Sequence, residues 1–215
     1  AAPTVVAMTP LRNVLLNYLI RDLDATLTAE SAGLGWFSDT QFNDLTLLDR
    51  DGAVVLTAAR LTSTATVTDV VVLSSGLGHV TVDEARVEVA VTADGSNLET
   101  LLAPWLENDD SDGGMSGITL ELHDAVVAVR DESTGHAATL EAPALKIVLP
   151  SAVDAPIEAA GAFVVTTSEA SGRGELELSL PQTNSIAGSC RFTFDGIPLA
   201  AVDVLQRRLG SDALI

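Results

Sequence analysis

Chemistry in this chain would have to come from three histidines, one cysteine and a large stock of carboxylates. His79, His123 and His136 lie far apart, and none stands in an H-x-x-x-H or H-E-x-x-H spacing that would aim two imidazoles at one metal. His79 and His136 follow turn glycines, Gly78 and Gly135, where a surface histidine is ordinary. Cys190 stands between Ser189 and Arg191 on an expected strand. A guanidinium can lower a thiol pKa, but a small half-buried residue is the simpler reading of this cysteine. Asn108, Asp110, Asp112 and Gly113 occupy the first, third, fifth and sixth places of a calcium loop, where oxygen ligands and a turning glycine are needed. The twelfth place is Thr119 rather than a bidentate Glu, and Pro104 before it with a strand after it is no helix–loop–helix, so a solvated acidic linker accounts for the same residues. No G-x-S-x-G elbow, phosphate-binding loop or G-x-G-x-x-G turn is present. The expectation is a protein that is not an enzyme, with no cofactor and no metal site.

The elements that would position any functional surface are legible from periodicity. Apolar alternation predicts strands over residues 25–31, 42–49, 53–61, 79–92, 118–130, 138–149, 157–167, 173–180 and 185–194. Arg50-Asp51-Gly52 turns the second into the third as a hairpin. In two strands the apolar phase flips: Val80 and Val82 give way to Ala85, Val87 and Val89, and Ile118, Leu120 and Leu122 give way to Ala125, Val127 and Val129. A flip of phase is what one extra residue produces, so both strands are expected to bend at a bulge.

Helices are fewer. Thr9 as N-cap and Pro10 as first residue predict a helix to about residue 22, with Leu11, Val14, Leu15, Tyr18 and Leu19 as its apolar stripe, packed against the sheet. A strand, an Asp-Gly turn and a helix follow one another at 87–106, where Ser96-Asn97-Leu98-Glu99 forms a capping box, and again at 190–209, where Pro198 opens the helix and Gly210 stops it. Residues 66–75 read equally as a short helix or as an extension of strand, because Val70, Val71 and Val72 are β-branched. The fold expected is mainly β: a curled antiparallel sheet or groove with a few short amphipathic helices. Residues 1–108 would form one unit and 118–215 a second, joined by the acidic Gly-rich linker 109–117, or the two would share one continuous sheet.

Composition limits the partners. The chain has 215 residues, 47% of them hydrophobic, enough for a substantial core. Thirty acidic residues against eleven basic ones give a formal charge of −19, which argues against nucleic acid or an anionic membrane surface as a partner of the whole face. Solubility, or an acid- or salt-adapted source, is the plain reading of the acidity. No stretch is long and apolar enough to span a bilayer as a helix. Aromatics are only 4%, and the apolar residues are chiefly Val, Leu and Ala, so an uncovered sheet face would be smooth and aliphatic. Such a lining suits acyl chains better than sugars or bases, which recruit aromatic platforms.

Three segments carry a resemblance: Leu34-Gly-Trp-Phe37, the phrase Phe42-Asn-Asp-Leu-Thr-Leu-Leu-Asp-Arg-Asp-Gly52, and the Val-x-Val strand that enters Asp94-Gly-Ser-Asn-Leu98. Over residues 9–106, and by pattern alone from Ile118 onward, the chain resembles the N-terminal region of bacterial AsmA-like and TamB-like envelope proteins. The resemblance implies a long β-groove on the periplasmic side of the cell envelope, tethered to the inner membrane by an anchor outside this chain, that moves phospholipid towards the outer membrane or supports outer-membrane protein assembly with an outer-membrane protein partner. The residues expected to face lipid are Leu45, Leu47, Val87, Val89, Val91, Val127 and Val129, which alternate along their strands. The alternative is a structural or adaptor module of an envelope assembly, without lipid cargo, whose strand edges pair with neighbours.

Overall fold

Alternation of apolar and polar residues produces ten strands in the computed structural model, which describes residues 2–21, 23–71, 78–92, 95–106, 117–150, 155–180 and 189–196. The strands are β1 (Ala25–Gly33), β2 (Thr40–Asp49), β3 (Val54–Ser63), β4 (His79–Asp83), β5 (Arg86–Val91), β6 (Ile118–Asp131), β7 (Ala137–Leu149), β8 (Ile157–Thr167), β9 (Ser171–Leu180) and β10 (Ser189–Asp195). Four short helices accompany them: α1 (Ala2–Met8), α2 (Leu11–Leu19), α3 (Val67–Val71) and α4 (Asn97–Leu106). None of the described helices is long and apolar enough to cross a membrane. The expected helix at 198–209, the linker 109–116 and the calcium-loop residues Asn108, Asp110 and Asp112 lie outside the described residues.

All ten strands belong to one sheet, in the order β1-β2-β3-β4-β6-β7-β8-β9-β10, with β5 continuing the line of β4 between β3 and β6. Neighbours are antiparallel except at the centre, where β4 and β5 run parallel to β6. A parallel pair needs a crossover rather than a hairpin, and α4 lies on that connection. Strands on either side of residues 109–117 are thus joined by two consecutive ladders, His79–Thr119 to Asp83–His123 and Arg86–Val126 to Val91–Asp131.

Where bulges were expected the backbone leaves the extended conformation at single left-handed residues instead. Glu84 and Asp124 have positive φ, 54° and 52°, and Asp44 in β2 has 51°. At Asp124 the pairs His123–Ala144 and Ala125–Ala142 enclose one residue on each strand, so no extra residue is inserted. A left-handed residue turns the backbone and switches the inward phase without moving the register; aspartate is among the few non-glycine residues that tolerate it. Glu84 also divides the single strand expected over 79–92 into β4 and β5. A bulge with one extra residue occurs instead in β7, where Glu141–Val164 and Ala144–Ala162 leave Ala142 and Pro143 opposite Phe163. Proline fits there because a bulge has an unpaired N–H to lose.

Helix α2 corrects another expectation. Its N-cap is Pro10, not Thr9, whose hydroxyl donates back to the Val5 carbonyl of α1 at 2.7 Å. Of the stripe inferred from spacing, Leu11, Val14 and Tyr18 are exposed, Leu15 is half-buried and the side chain of Leu19 lies outside the described residues, whereas Leu16, not in the stripe, is buried in the core. Polar Asn13 and Asn17 face the sheet because they satisfy the edge of β1, described below. In α4, by contrast, the capping box forms as expected: the Ser96 N–H donates to Glu99 Oε2 and the Glu99 N–H to Ser96 Oγ. At residues 66–75 the helical alternative forms over α3, opened by reciprocal hydrogen bonds between Thr66 and Asp69. The hairpin at Arg50-Asp51-Gly52 closes through Asp49 Oδ1, which accepts from the Asp51 and Ala53 N–H groups, with Gly52 at φ 82°.

Candidate functional site

Register assembles the apolar residues of separate strands into rows on one face of the sheet. Ladder by ladder, Leu27–Leu47–Leu56–Val87–Val127–Leu140–Val165 crosses seven strands. A second row runs Ala32–Phe42–Leu61–Val82–Leu122–Leu145–Gly161–Leu176 and a third Val80–Leu120–Ile147–Ala159–Leu178. The opposite face is the more polar one: Thr62, Thr81, Glu121 and Lys146 form one of its rows and Arg60, Asp83 and His123 another, although Val126, Val148 and Val164 lie on it too. Two-faced chemistry of this kind follows from period-two patterning, provided the phase is kept. The positive-φ residues keep it across the bends: Phe42 and Leu45, Val82 and Ala85, and Leu122 and Ala125 share the apolar face despite odd spacing.

Along the bend itself the inward residues are small. Ala29, Ala58, Ala85, Ala125 and Ala142 follow one another across the sheet, all buried, with Leu45 among them. Alanines in line leave room for a methyl group and little more on that side, which is where a sheet folding towards its apolar face would be tightest.

The seven residues expected to face lipid all lie on this face, but they are not equivalent. Leu45 is 3% exposed and belongs to the core, with Leu16 of α2, Phe42, Ala58, Val80 and Val82. Leu47, Val87, Val89, Val91, Val127 and Val129 are half-buried. Val87 pairs with Val127 and Val89 with Val129, while Val91 lies beside buried Asp131. The Asp131 carboxylate closes the β6–β7 turn, accepting from the Ser133 hydroxyl at 2.6 Å and from the Ser133 and Thr134 N–H groups. Those bonds, the Ser133 hydroxyl first, hold its pKa well below the usual carboxylate range.

Towards β8 and β9 the face is flattened by glycine. The Phe163 ring lies across Gly174, where a Cβ would collide with it, and Leu145 Cδ1 would stand 2.9 Å from a Cβ at Gly161. Phe163 also meets Phe194 edge to face, with ring centroids 6.1 Å apart. A shallow hollow of about 470 Å³ adjoins this ring pair, bounded also by Pro143 and Arg173.

The groups that could have done chemistry are dispersed on the polar side. His79 Nε2 lies 3.3 Å from Glu121 Oε2, and His123 Nδ1 lies 3.1 Å from Asp83 Oδ1, each spanning the parallel joint between β4 and β6. Lys146 also reaches Glu121 at 3.2 Å and, with His79, keeps that carboxyl below its ordinary pKa. His136 is exposed in the β6–β7 turn. Among the described residues no three His, Cys, Asp or Glu side chains are grouped to hold a metal. The side chain of Cys190 lies outside the described residues. Of the two aromatics in the Gly33–Phe37 segment, Phe37 is 92% exposed and Trp36 43%.

Sequence reasoning missed one group of working side chains. Asn13 and Asn17 of α2 and Asn97 of α4 hydrogen-bond to strand edges. Their signal was asparagine inside a helix, where it is a poor helix former and needs another reason to stand. No protein-family model matches the chain, and no curated protein matches it.

Proposed function

We propose that this protein is a non-enzymatic wall segment that shields and conducts the acyl chains of phospholipid along its aliphatic face. The observation that carries this reading is the row of Val and Leu side chains that crosses seven strands, half-buried at every position but Val165. Acyl chains laid on such a surface leave water without needing a directional partner, which is why no single residue dominates. The resemblance of residues 9–106 to AsmA-like and TamB-like proteins supports a place in a bacterial cell envelope. There the segment would stand on the periplasmic side, served by an inner-membrane anchor outside this chain, in outer-membrane biogenesis.

The test is native mass spectrometry and solvent extraction of the purified chain after incubation with phospholipid vesicles. Co-purifying phospholipid, lost when Val127 and Val129 are both changed to Asp in a chain that still folds, is the expected result. A folded parent chain that takes up no phospholipid, or a folded double variant that takes up as much as the parent, overturns the proposal.

A further inference from the structure

Over Leu27 to Ala29 the β1 edge of the sheet is occupied by side chains rather than by a strand. An edge strand presents outward N–H and C=O groups, and in β1 those of Leu27 and Ala29 are all taken up by α2. Asn17 Nδ2 donates to the Leu27 carbonyl at 2.9 Å, and the Leu27 N–H donates to Asn17 Oδ1 at 3.0 Å. The Ala29 N–H donates to Asn13 Oδ1 at 3.1 Å, and Arg12 Nε donates to the Ala29 carbonyl at 2.8 Å. A carboxamide carries the same donor and acceptor as a peptide group, so Asn17 bonds Leu27 as a neighbouring strand residue would.

The same device recurs at a second edge. Pairing of β5 with β3 ends at Arg86 and Val87. Beyond them the Ala90 N–H donates to Asn97 Oδ1, and Asn97 Nδ2 donates to the Glu88 carbonyl, both at 2.9 Å. Two helices of unrelated sequence thus place an asparagine on an otherwise unpaired edge. Helix α2 keeps Leu16 in the core but leaves Leu11, Val14 and Tyr18 exposed.

We infer that α2 is a seal on the β1 edge that keeps a second copy of this chain from adding there as a further strand. The edge that the seal guards is self-complementary, since an antiparallel strand pair about a two-fold axis uses the same residues from both copies. Any lengthening of the sheet by strand addition then proceeds away from β1. The inference is independent of lipid binding.

The full chain with Asn13→Leu and Asn17→Leu tests it. Deuterium exchange at the Leu27 and Ala29 amides should accelerate at least about tenfold, and sedimentation should show a concentration-dependent dimer that the parent chain lacks. Adding Ala29→Pro removes the outward N–H that a partner strand needs while sparing the β1–β2 ladder, and should abolish the dimer. Asn17→Ala alone should accelerate Leu27 and leave Ala29 protected, a split that general destabilisation would not produce. Unchanged exchange, fast exchange without dimer, a dimer that survives Ala29→Pro, or equal acceleration at both amides in Asn17→Ala would each overturn the seal.

Discussion

One apolar face has two fates in this molecule. From β1 to β4 it is a core: Leu16 of α2 packs with Phe42, Leu45, Val80 and Val82, all under 9% exposed. From β7 to β9 the buried apolar residues are Ala142, Ala159 and Val165, while the larger Leu140, Leu145, Ile147, Leu176 and Leu178 are half-buried, as Leu27, Leu47, Leu56 and Leu61 are in the first region. The residue types hardly differ between the two regions. Their cover and their relief do: the first region has long side chains meeting over alanines, while in the second Phe163 and Leu145 lie down over glycines. Hydrophobicity alone therefore does not separate a surface that holds the fold together from one that is free to hold something else; packing does.

The largest expected effect breaks that comparison within a single row. Val82→Asp places a carboxylate in the core without a partner and should leave no folded protein, a loss of at least about 4 kcal/mol in urea unfolding. Leu176→Asp, in the same row, should cost on the order of 1 kcal/mol and remain folded while losing phospholipid uptake. Equal losses at the two sites would dissolve the distinction between the regions.

Overfilling the bend comes next. Ala125→Leu adds a side chain where only a methyl group has room, and should destabilise by about 1–3 kcal/mol in the same measurement. A neutral result would mean that the sheet does not fold towards its apolar face there. At the bend backbone, Asp124→Gly should be neutral or stabilising by up to about 1 kcal/mol, whereas Asp124→Val should cost about 1–2 kcal/mol, because φ of 52° suits glycine and penalises a β-branched residue.

The smallest effect is electrostatic and lies on the polar face. Glu121, bonded by Lys146 and His79, and Asp131, bonded by the Ser133 hydroxyl and its turn, have folded pKa values below their unfolded ones. Groups depressed in this way contribute their stability in full above the unfolded carboxylate range and lose it as pH falls through the folded values. Urea midpoints should therefore hold from about pH 7 to 5 and decline below that. Glu121→Gln should make the acid side of that curve shallower without altering phospholipid uptake.

Much of the fold was legible. Strand positions, the hairpin at Gly52, the capping box of α4 and the changes of phase at Glu84 and Asp124 all follow from local pattern, because period-two alternation, turn chemistry and caps involve residues close in sequence. Asp44 carries the same signal, with Phe42 and Leu45 out of phase. Candidate residues Val87, Val89, Val127 and Val129 were recognisable as one set by alternation, although their pairing across a parallel joint was not. The inward face of α2 was misread because spacing ranks faces by apolarity, while β1 needed amide groups more than another aliphatic stripe.

By itself the sequence determined which residues alternate, where the chain turns and that one side of each strand would be aliphatic, since each of these is a property of a few consecutive residues. Only the tertiary structure decided that β4 and β5 run parallel to β6, that α2 turns Asn13 and Asn17 to the sheet edge, and that Leu45 is core while Leu176 stays within reach of solvent. Those outcomes depend on which distant segments meet, and burial and edge satisfaction are shared among strands that no local pattern connects.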